Sequence, residues 1–556
     1  MRGHAAPELK APPAVRRQSH TATEEYLENE ISKRRTLAII AHPDAGKTTL
    51  TEKFLLYGGA VQLAGSVTAR KQQRDTASDW MELEKQRGIS ISSTLLQFDY
   101  GPWRINLLDT PGHKDFSEDT YRVLMAVDAV IMVMDGGKGI ESQTRKLFEI
   151  CHRRKIPIFT FVNKMDRPSL SPLELIDQLE TVLKIDAYPI NWPLGNGKDF
   201  KGVYDRVNKE AHLFERVPGG TYRAPVSVGG FSDPFVKSKM DEQSYANASE
   251  ELEILEQAHV DFDAEAVISG ETTPVFFGSA ANNFGVELLL KGFLKYSAGP
   301  TPRKASGAIV PVDHNKFSGF VFKMQTNMDP MHRDRIAFIR VCSGKFTRDL
   351  QVVNVRTGDK VRLGSTHKLF GQNREVVEDA YAGDILGVVV KTDFRVGDTV
   401  TEDASIVYNE IPKFAPECFG YLSNPEPGKY KGFRKGMEQL LAEDIVQVFE
   451  QKEPWKSDPL LGAVGPLQFE VLQFRLESEY GAKSTLVRAP WQFLRWIQTD
   501  LDDQALKLKI PSGGAMAIDE GGRRVMIFSN EWSMNYYREK NTDILLFDSP
   551  ALILSV

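Results

Sequence analysis

The chain has 556 residues, room for three or four domains at about 150 residues each. Its 41% hydrophobic and 26% charged residues are ordinary for a globular protein, and a formal charge of −6 excludes a chain built mainly to coat nucleic acid, though not a local basic face. Three scattered cysteines (Cys151, Cys342, Cys418) and no apolar run near the ~18–20 residues of a membrane helix argue against a disulfide framework, a zinc site or a membrane span, and fit a reducing cytoplasm.

Residues 1–34 are Ala/Pro-rich and then acidic. They lack the apolar stretch of a secretory signal, and Glu8, Glu24, Glu25, Glu28 and Glu30 disfavour a transit peptide. A disordered or loosely helical extension is expected here. From Arg35 to about residue 300, short apolar runs (TLAIIA, INLLD, DAVIMVMD, IPIFTFV, PVFFGSA) alternate with polar stretches of helical period such as DTYRVLMA and SQTRKLFEICHRR. That alternation implies βα units around a mostly parallel sheet, with ligands at the carboxyl ends of its strands.

The first run leads into Ala41-His42-Pro43-Asp44-Ala45-Gly46-Lys47-Thr48-Thr49. This is the phosphate-loop pattern G-x(4)-G-K-[ST] with Ala41 replacing the first glycine. Backbone N–H groups of such a loop and the following helix N-terminus cradle phosphates; Lys47 would bridge the β- and γ-phosphates and Thr48 would ligate Mg²⁺. The bland alternative is a strand–turn–helix with a surface lysine. Further on, EKQRGISIS offers the Ser90 hydroxyl as a second Mg²⁺ ligand in a switch ordered by the γ-phosphate. INLLD then ends in Asp109-Thr110-Pro111-Gly112-His113. Asp109 would hold the metal through water, and Gly112 would offer its N–H to the γ-phosphate, which only a residue without a side chain approaches closely enough.

IPIFTFV runs into Asn163-Lys164-Met165-Asp166, an N-K-x-D motif. A carboxylate at Asp166 can take both guanine N1–H and the exocyclic amine, whereas adenine offers an acceptor and no amine there. Asn163 would brace the loops and the Lys164 stem would cover the base. In PVFFGSA the backbone of Ser279 and Ala280 would meet guanine O6. A long insertion near 190–270 lies between these motifs; its residues 241–265 hold nine carboxylates and no Lys or Arg, read as a solvated helical face or else a docking surface for a basic partner.

After Gly299-Pro300-Thr301-Pro302-Arg303 come short strands and Gly-Asp turns (Gly358-Asp359, Gly383-Asp384), the pattern of a small β-barrel over 301–410. His332 in DPMHRDR reads as a barrel-loop residue. An α+β domain fits 411–556, where KYKGFRK (429–435) is a solvated loop or a contact for RNA phosphates.

Taken in order, AHPDAGKT, RGISI, DTPGH, NKMD and GSA resemble the translational GTPases. The resemblance implies a P-loop α/β GTPase domain, a β-barrel and an α+β C-terminal domain, with GTP/GDP and Mg²⁺ as ligands. It implies that His113 orients the attacking water and that Pro43 and Ile89 screen it as a hydrophobic gate. The family commonly has threonine at Ser90; serine keeps the hydroxyl. The runs NWPLGNGKDFKGVYD, GFVFKMQTNMDPMHRDRIAFIRVCSGKF and LLGAVGPLQFEVLQFRLESEYGA are similar to the bacterial class II peptide chain release factors. That narrower resemblance implies a cytoplasmic, monomeric, ribosome-dependent GTPase that removes the codon-reading release factors after peptide release, with ribosomal RNA and proteins as partners. No Gly-Gly-Gln occurs, so peptide cleavage itself is not expected. The alternatives are another translational GTPase, in elongation or ribosome rescue, and a non-catalytic GTP-dependent binding module, which His113 counts against.

Overall fold

Aliphatic and β-branched runs flanked by polar turns fold as strands, and the stretches between them as helices that cover both faces of the resulting sheet. The computed structural model describes residues 22–59, 84, 90–214, 226–258, 261–326, 335–364, 366–370, 373–390, 393–409, 411, 413–451 and 459–550. In chain order the strands of the first region are β1 (Arg34–Ala41), β2 (Thr94–Tyr100), β3 (Trp103–Asp109), β4 (Ala129–Asp135), β5 (Ile158–Asn163), β6 (Asp186–Pro189), β7 (Asn191–Leu194), β8 (Gly202–Asp205), β9 (Glu210–Leu213), β10 (Val226–Val228) and β11 (Thr272–Phe277). The main sheet runs β2-β3-β1-β4-β5-β11-β6, with β2 antiparallel to β3 and the other neighbours parallel.

β1 alternates between two cores. Ala38 and Ile40 face Val123 and Leu147, from helices α3 (Ser117–Ala126) and α4 (Ser142–Arg153). Leu37 and Ile39 face Leu50 and Phe54 of α2 (Lys47–Tyr57), with Leu289 and Phe293 of helix Val286–Tyr296. Each such side chain contributes about 1.5–3 kcal/mol on full burial. Strand order reverses at β1, so the crevice past its carboxyl end is where a ligand is accommodated.

The insertion folds as a four-stranded antiparallel sheet, β10-β9-β8-β7, and helix Glu242–Gln257. Ala248 and Leu252 bury one stripe of that helix while most of its carboxylates face solvent.

The next region is a curled antiparallel sheet around a core that includes Phe317, Val321, Ile339, Leu386 and Val400. It meets the first sheet edge-on, where Phe370 pairs with Leu96. Buried ion pairs pin the junction: Arg340 donates twice to Asp128 (2.7 and 2.6 Å), and Arg34 donates to Asp384 (3.0 Å). His332 lies outside the described residues. The C-terminal region is an eight-stranded antiparallel sheet with helices Tyr430–Ala442 and Pro466–Tyr480 packed on it.

Two expectations are sharpened. Within the extension expected to be disordered or loosely helical, Ala22–Ser32 forms helix α1, because Leu27 and Ile31 pack on Tyr381 and Ala382, and Glu30 pairs with Arg34 at 2.8 Å. Residues 1–21 lie outside the described part. The basic run 429–435 is mostly helical rather than a loop, with Lys431, Arg434 and Lys435 exposed. All three cysteines are free, and burial pushes the Cys151 thiol up to about 12. Among the described residues no helix is long and apolar enough to cross a membrane.

Candidate nucleotide-binding and catalytic site

Ala41 ends β1, and the chain turns through His42, Pro43, Asp44, Ala45 and Gly46 into α2. Two left-handed residues make this turn, Asp44 (φ 66°) and Gly46 (φ 103°). A Cβ on Gly46 would lie 2.2 Å from Asn163 Nδ2, so glycine is needed for space as well as for φ. His42 Nε2 lies 3.3 Å from Glu141. Lys47 opens α2, followed by half-buried Thr48 and Thr49. No side chain caps this helix, which leaves its first N–H groups for an anion.

Asn163, at the end of β5, ties the base side together. Its Nδ2 donates to Ala45 O (2.8 Å) and its Oδ1 accepts from Ala280 N–H (2.8 Å). The Lys164 ammonium donates to Asp44 O (2.5 Å) and to Asp135 Oδ2 (2.8 Å), laying its stem across the loop. Burial raises the Asp135 pKa, but the Lys164 hydrogen bond and the Gly137 N–H outweigh it and hold the carboxyl below its usual range. Half-buried Asp166 makes no hydrogen bond or ion pair with the described residues, so its carboxylate is uncommitted. In the loop after β11, the N–H groups expected to meet guanine O6 already have partners. Ser279 N–H is spent on Phe284 O (2.9 Å) and Ala280 N–H on Asn163. Sequence reasoning also passed over Asp135, whose only signal was its place at the carboxyl end of a neighbouring strand.

On the phosphate side, the Thr110 hydroxyl donates to Ile39 O (2.7 Å), and Pro111 O accepts from Thr120 (3.2 Å). The first bond holds the loop against β1 and the second against α3. A Cβ on Gly112 would lie 3.6 Å from Pro43 Cα, an ordinary contact, so the two loops face each other at close range. Lys47 and Asp109 form a direct ion pair, at 8% and 2% side-chain exposure. His113 caps a short 3₁₀ turn: its Nδ1 accepts from Asp115 N–H (3.2 Å) and lies 3.4 Å from Asp115 Oδ1, with the ring 32% exposed. Half-buried Ser90 precedes Ile91 and Ser92, whose N–H groups donate to Glu84 (2.9 and 3.2 Å). The Lys323 ammonium, from the barrel, donates to Ser92 Oγ (2.6 Å) and Ser93 Oγ (3.0 Å). Of the two residues expected to form a gate, Ile89 lies outside the described residues and Pro43 lies in the turn after β1. A hydroxyl from Thr48, a carboxylate from Asp109 and a hydroxyl from Ser90 are hard oxygen donors, the set suited to Mg²⁺.

Three family models match in sequence order: the elongation factor Tu GTP binding domain over residues 32–298, elongation factor G domain 2 over 316–403, and the class II release factor RF3 C-terminal domain over 408–538. The chain is 54% identical over 517 residues to peptide chain release factor 3 of Gloeobacter violaceus, covering 93% of this chain and 97% of that protein. It is 48% identical over 531 residues to the Rippkaea orientalis protein of the same name, covering 93% and 96%. A crystal structure from Thermus thermophilus shares the fold, with a TM-score of 0.67 at 23% identity over 84% of this chain and 71% of that one. With a GTPase domain, a barrel and a release-factor C-terminal domain in one continuous match, the chain belongs to the peptide chain release factor 3 family, translational GTPases of termination.

Proposed function

We propose that the ribosome triggers GTP hydrolysis by this chain and that the reaction drives the codon-reading release factors off the ribosome after peptide release. The observation that carries the catalytic part is the apposition of Gly112 to Pro43, which brings the His113 turn beside the phosphate loop. In this reading the N–H groups of residues 42–49 and Lys47 hold the phosphates, and Gly112 N–H meets the γ-phosphate. Thr48, Ser90 and, through water, Asp109 hold Mg²⁺, which neutralises charge on the phosphate oxygens. Binding would exchange the Lys47–Asp109 pair for a lysine–phosphate contact and a water-mediated contact from the carboxylate to the metal. Asp166 takes guanine N1–H and the exocyclic amine. Because the Ser279 and Ala280 N–H groups are already engaged, either one meets O6 only as a shared donor.

With Nδ1 held at Asp115, His113 uses Nε2 to orient the attacking water, and Pro43 with Ile89 screens that water until the ribosome aligns it. Partners of such switches accelerate hydrolysis by about 10³–10⁵-fold. His113→Ala is expected to keep GTP affinity within about twofold and to lose at least about 10²-fold in ribosome-stimulated turnover. The assay pairs fluorescent GTP titration with phosphate release on ribosomes that hold a stop codon, deacylated tRNA and a labelled codon-reading factor. Unchanged turnover sinks the catalytic reading. An unchanged residence time of the labelled factor sinks the recycling reading.

A further inference from the structure

Gly465 at the N-cap of helix Pro466–Tyr480 has no side chain to accept a first-turn N–H, and the helix's own Gln468 instead accepts from the Gly465 N–H at 3.1 Å. The acceptor for a first-turn N–H comes from the loop that carries His113. Asp115, only 3% exposed, accepts the Leu467 N–H on Oδ2 at 2.9 Å. Its other oxygen, Oδ1, lies 3.4 Å from His113 Nδ1, and its own N–H donates to that nitrogen at 3.2 Å. One carboxylate therefore touches both the imidazole and a helix about 350 residues away in sequence. Phe116 and Ile91 pack on Val471 of the same helix, which makes the contact a docked surface rather than a single bond.

Gly465 reports how tight the docking is. A Cβ there would lie 2.2 Å from Asp115 Cγ. Its backbone is extended (φ −148°), a conformation any residue adopts, so the glycine serves the space occupied by Asp115 and not a turn.

Resting on the assignment of His113 as the water-orienting group, we propose that Asp115 is a positioning residue that couples this histidine to the seating of the C-terminal region. When the helix is seated, the Leu467 N–H fixes the Asp115 carboxylate, and with it the Asp115 backbone N–H that holds Nδ1 of the ring. A partner that shifts the helix changes where Nε2 points without touching the nucleotide.

The test uses the full chain and four variants: Asp115→Ala, Asp115→Asn, Gly465→Ala and the double Asp115→Ala/Gly465→Ala. Ribosome-stimulated kcat and KM, fluorescent GTP affinity and thermal melting are measured on each. Gly465→Ala is expected to lower kcat about tenfold or more, since small misplacements near the chemistry cost up to about 10²-fold, with GTP affinity unchanged. Asp115→Ala falls as far or further, and Asp115→Asn, which keeps an acceptor for Leu467, recovers part of the loss. In the double variant the added methyl has no carboxylate to displace, so its kcat equals that of Asp115→Ala rather than the product of the two losses. Wild-type kcat in Gly465→Ala, or multiplicative losses in the double, overturns the proposal. If Asp115→Ala does not fold, Gly465→Ala and Asp115→Asn decide alone. His113→Ala run in parallel separates the two readings. If it is inactive while Gly465→Ala is normal, the coupling fails; if it is fully active, the histidine assignment fails and the coupling with it.

Discussion

At the base end of the site, Asn163 bonds the phosphate loop on one side and the Ala280 loop on the other, and Lys164 bonds the phosphate loop at Asp44 and the end of β4 at Asp135. All of these groups belong to the region matched by the GTP-binding model, residues 32–298. At the phosphate end the supports come from elsewhere. Lys323 of the barrel holds Ser92 and Ser93, and the helix that starts at Pro466 holds Asp115 behind His113. In the proposed reading, the nucleotide domain would build recognition of the base unaided, while the groups proposed to meet the γ-phosphate are tied to the other two domains.

Removing the base contact breaks the first half most severely. Asp166→Ala is expected to cut the preference for GTP over ATP by about 10⁴-fold, the range for sites that recognise a ligand's N–H groups with a buried acceptor. Competition of each nucleotide against fluorescent GDP measures it, and an unchanged preference would remove Asp166 from the site. Asn163→Ala comes next. It strips the partners from Ala45 O and Ala280 N–H. A buried group left unpaired costs about 1–3 kcal/mol, so GTP and GDP should weaken together by about ten- to a hundredfold. A loss confined to GTP would show that the brace belongs to the phosphate end instead.

The same division separates what the sequence made legible from what it hid. Short motifs at the carboxyl ends of strands announced the base side and the phosphate loop, because one strand end and one turn supply each of those groups. The barrel was legible through its Gly-Asp turns. Asp115 and Lys323 were not, since each acts on a partner hundreds of residues away in sequence and a charged residue beside a motif carries no mark of its contact. The docking of helix α1 escaped for a similar reason, since Tyr381 and Ala382, against which Leu27 and Ile31 are buried, lie far along the chain. Competition for the Ser279 and Ala280 N–H groups was likewise invisible, because it depends on how the loop folds back onto Phe284 and Asn163.

The smallest effect tests the barrel's hold on the switch. Lys323 is buried, and that burial pushes its ammonium below the usual lysine range against the pull of Asp119, Glu443 and Glu84. The charged form is thus less favoured in the folded chain than in the unfolded one. At a pH below the folded value both states carry the proton and the folded state bears the full cost. Between that value and the ordinary 10.5 the unfolded state binds more protons, so stability rises with pH. Lys323→Met removes this titration and leaves Ser92 and Ser93 without their donor. Denaturant unfolding should therefore show wild type gaining on the variant as pH climbs from neutral towards 10.5. The variant should keep its GDP affinity and lose ribosome-stimulated turnover by about tenfold, the worth of a hydrogen bond to a charged group. A stability difference that stays flat with pH would mean that the ammonium is not desolvated in solution. Full turnover would mean that the phosphate end, like the base end, stands without its neighbours.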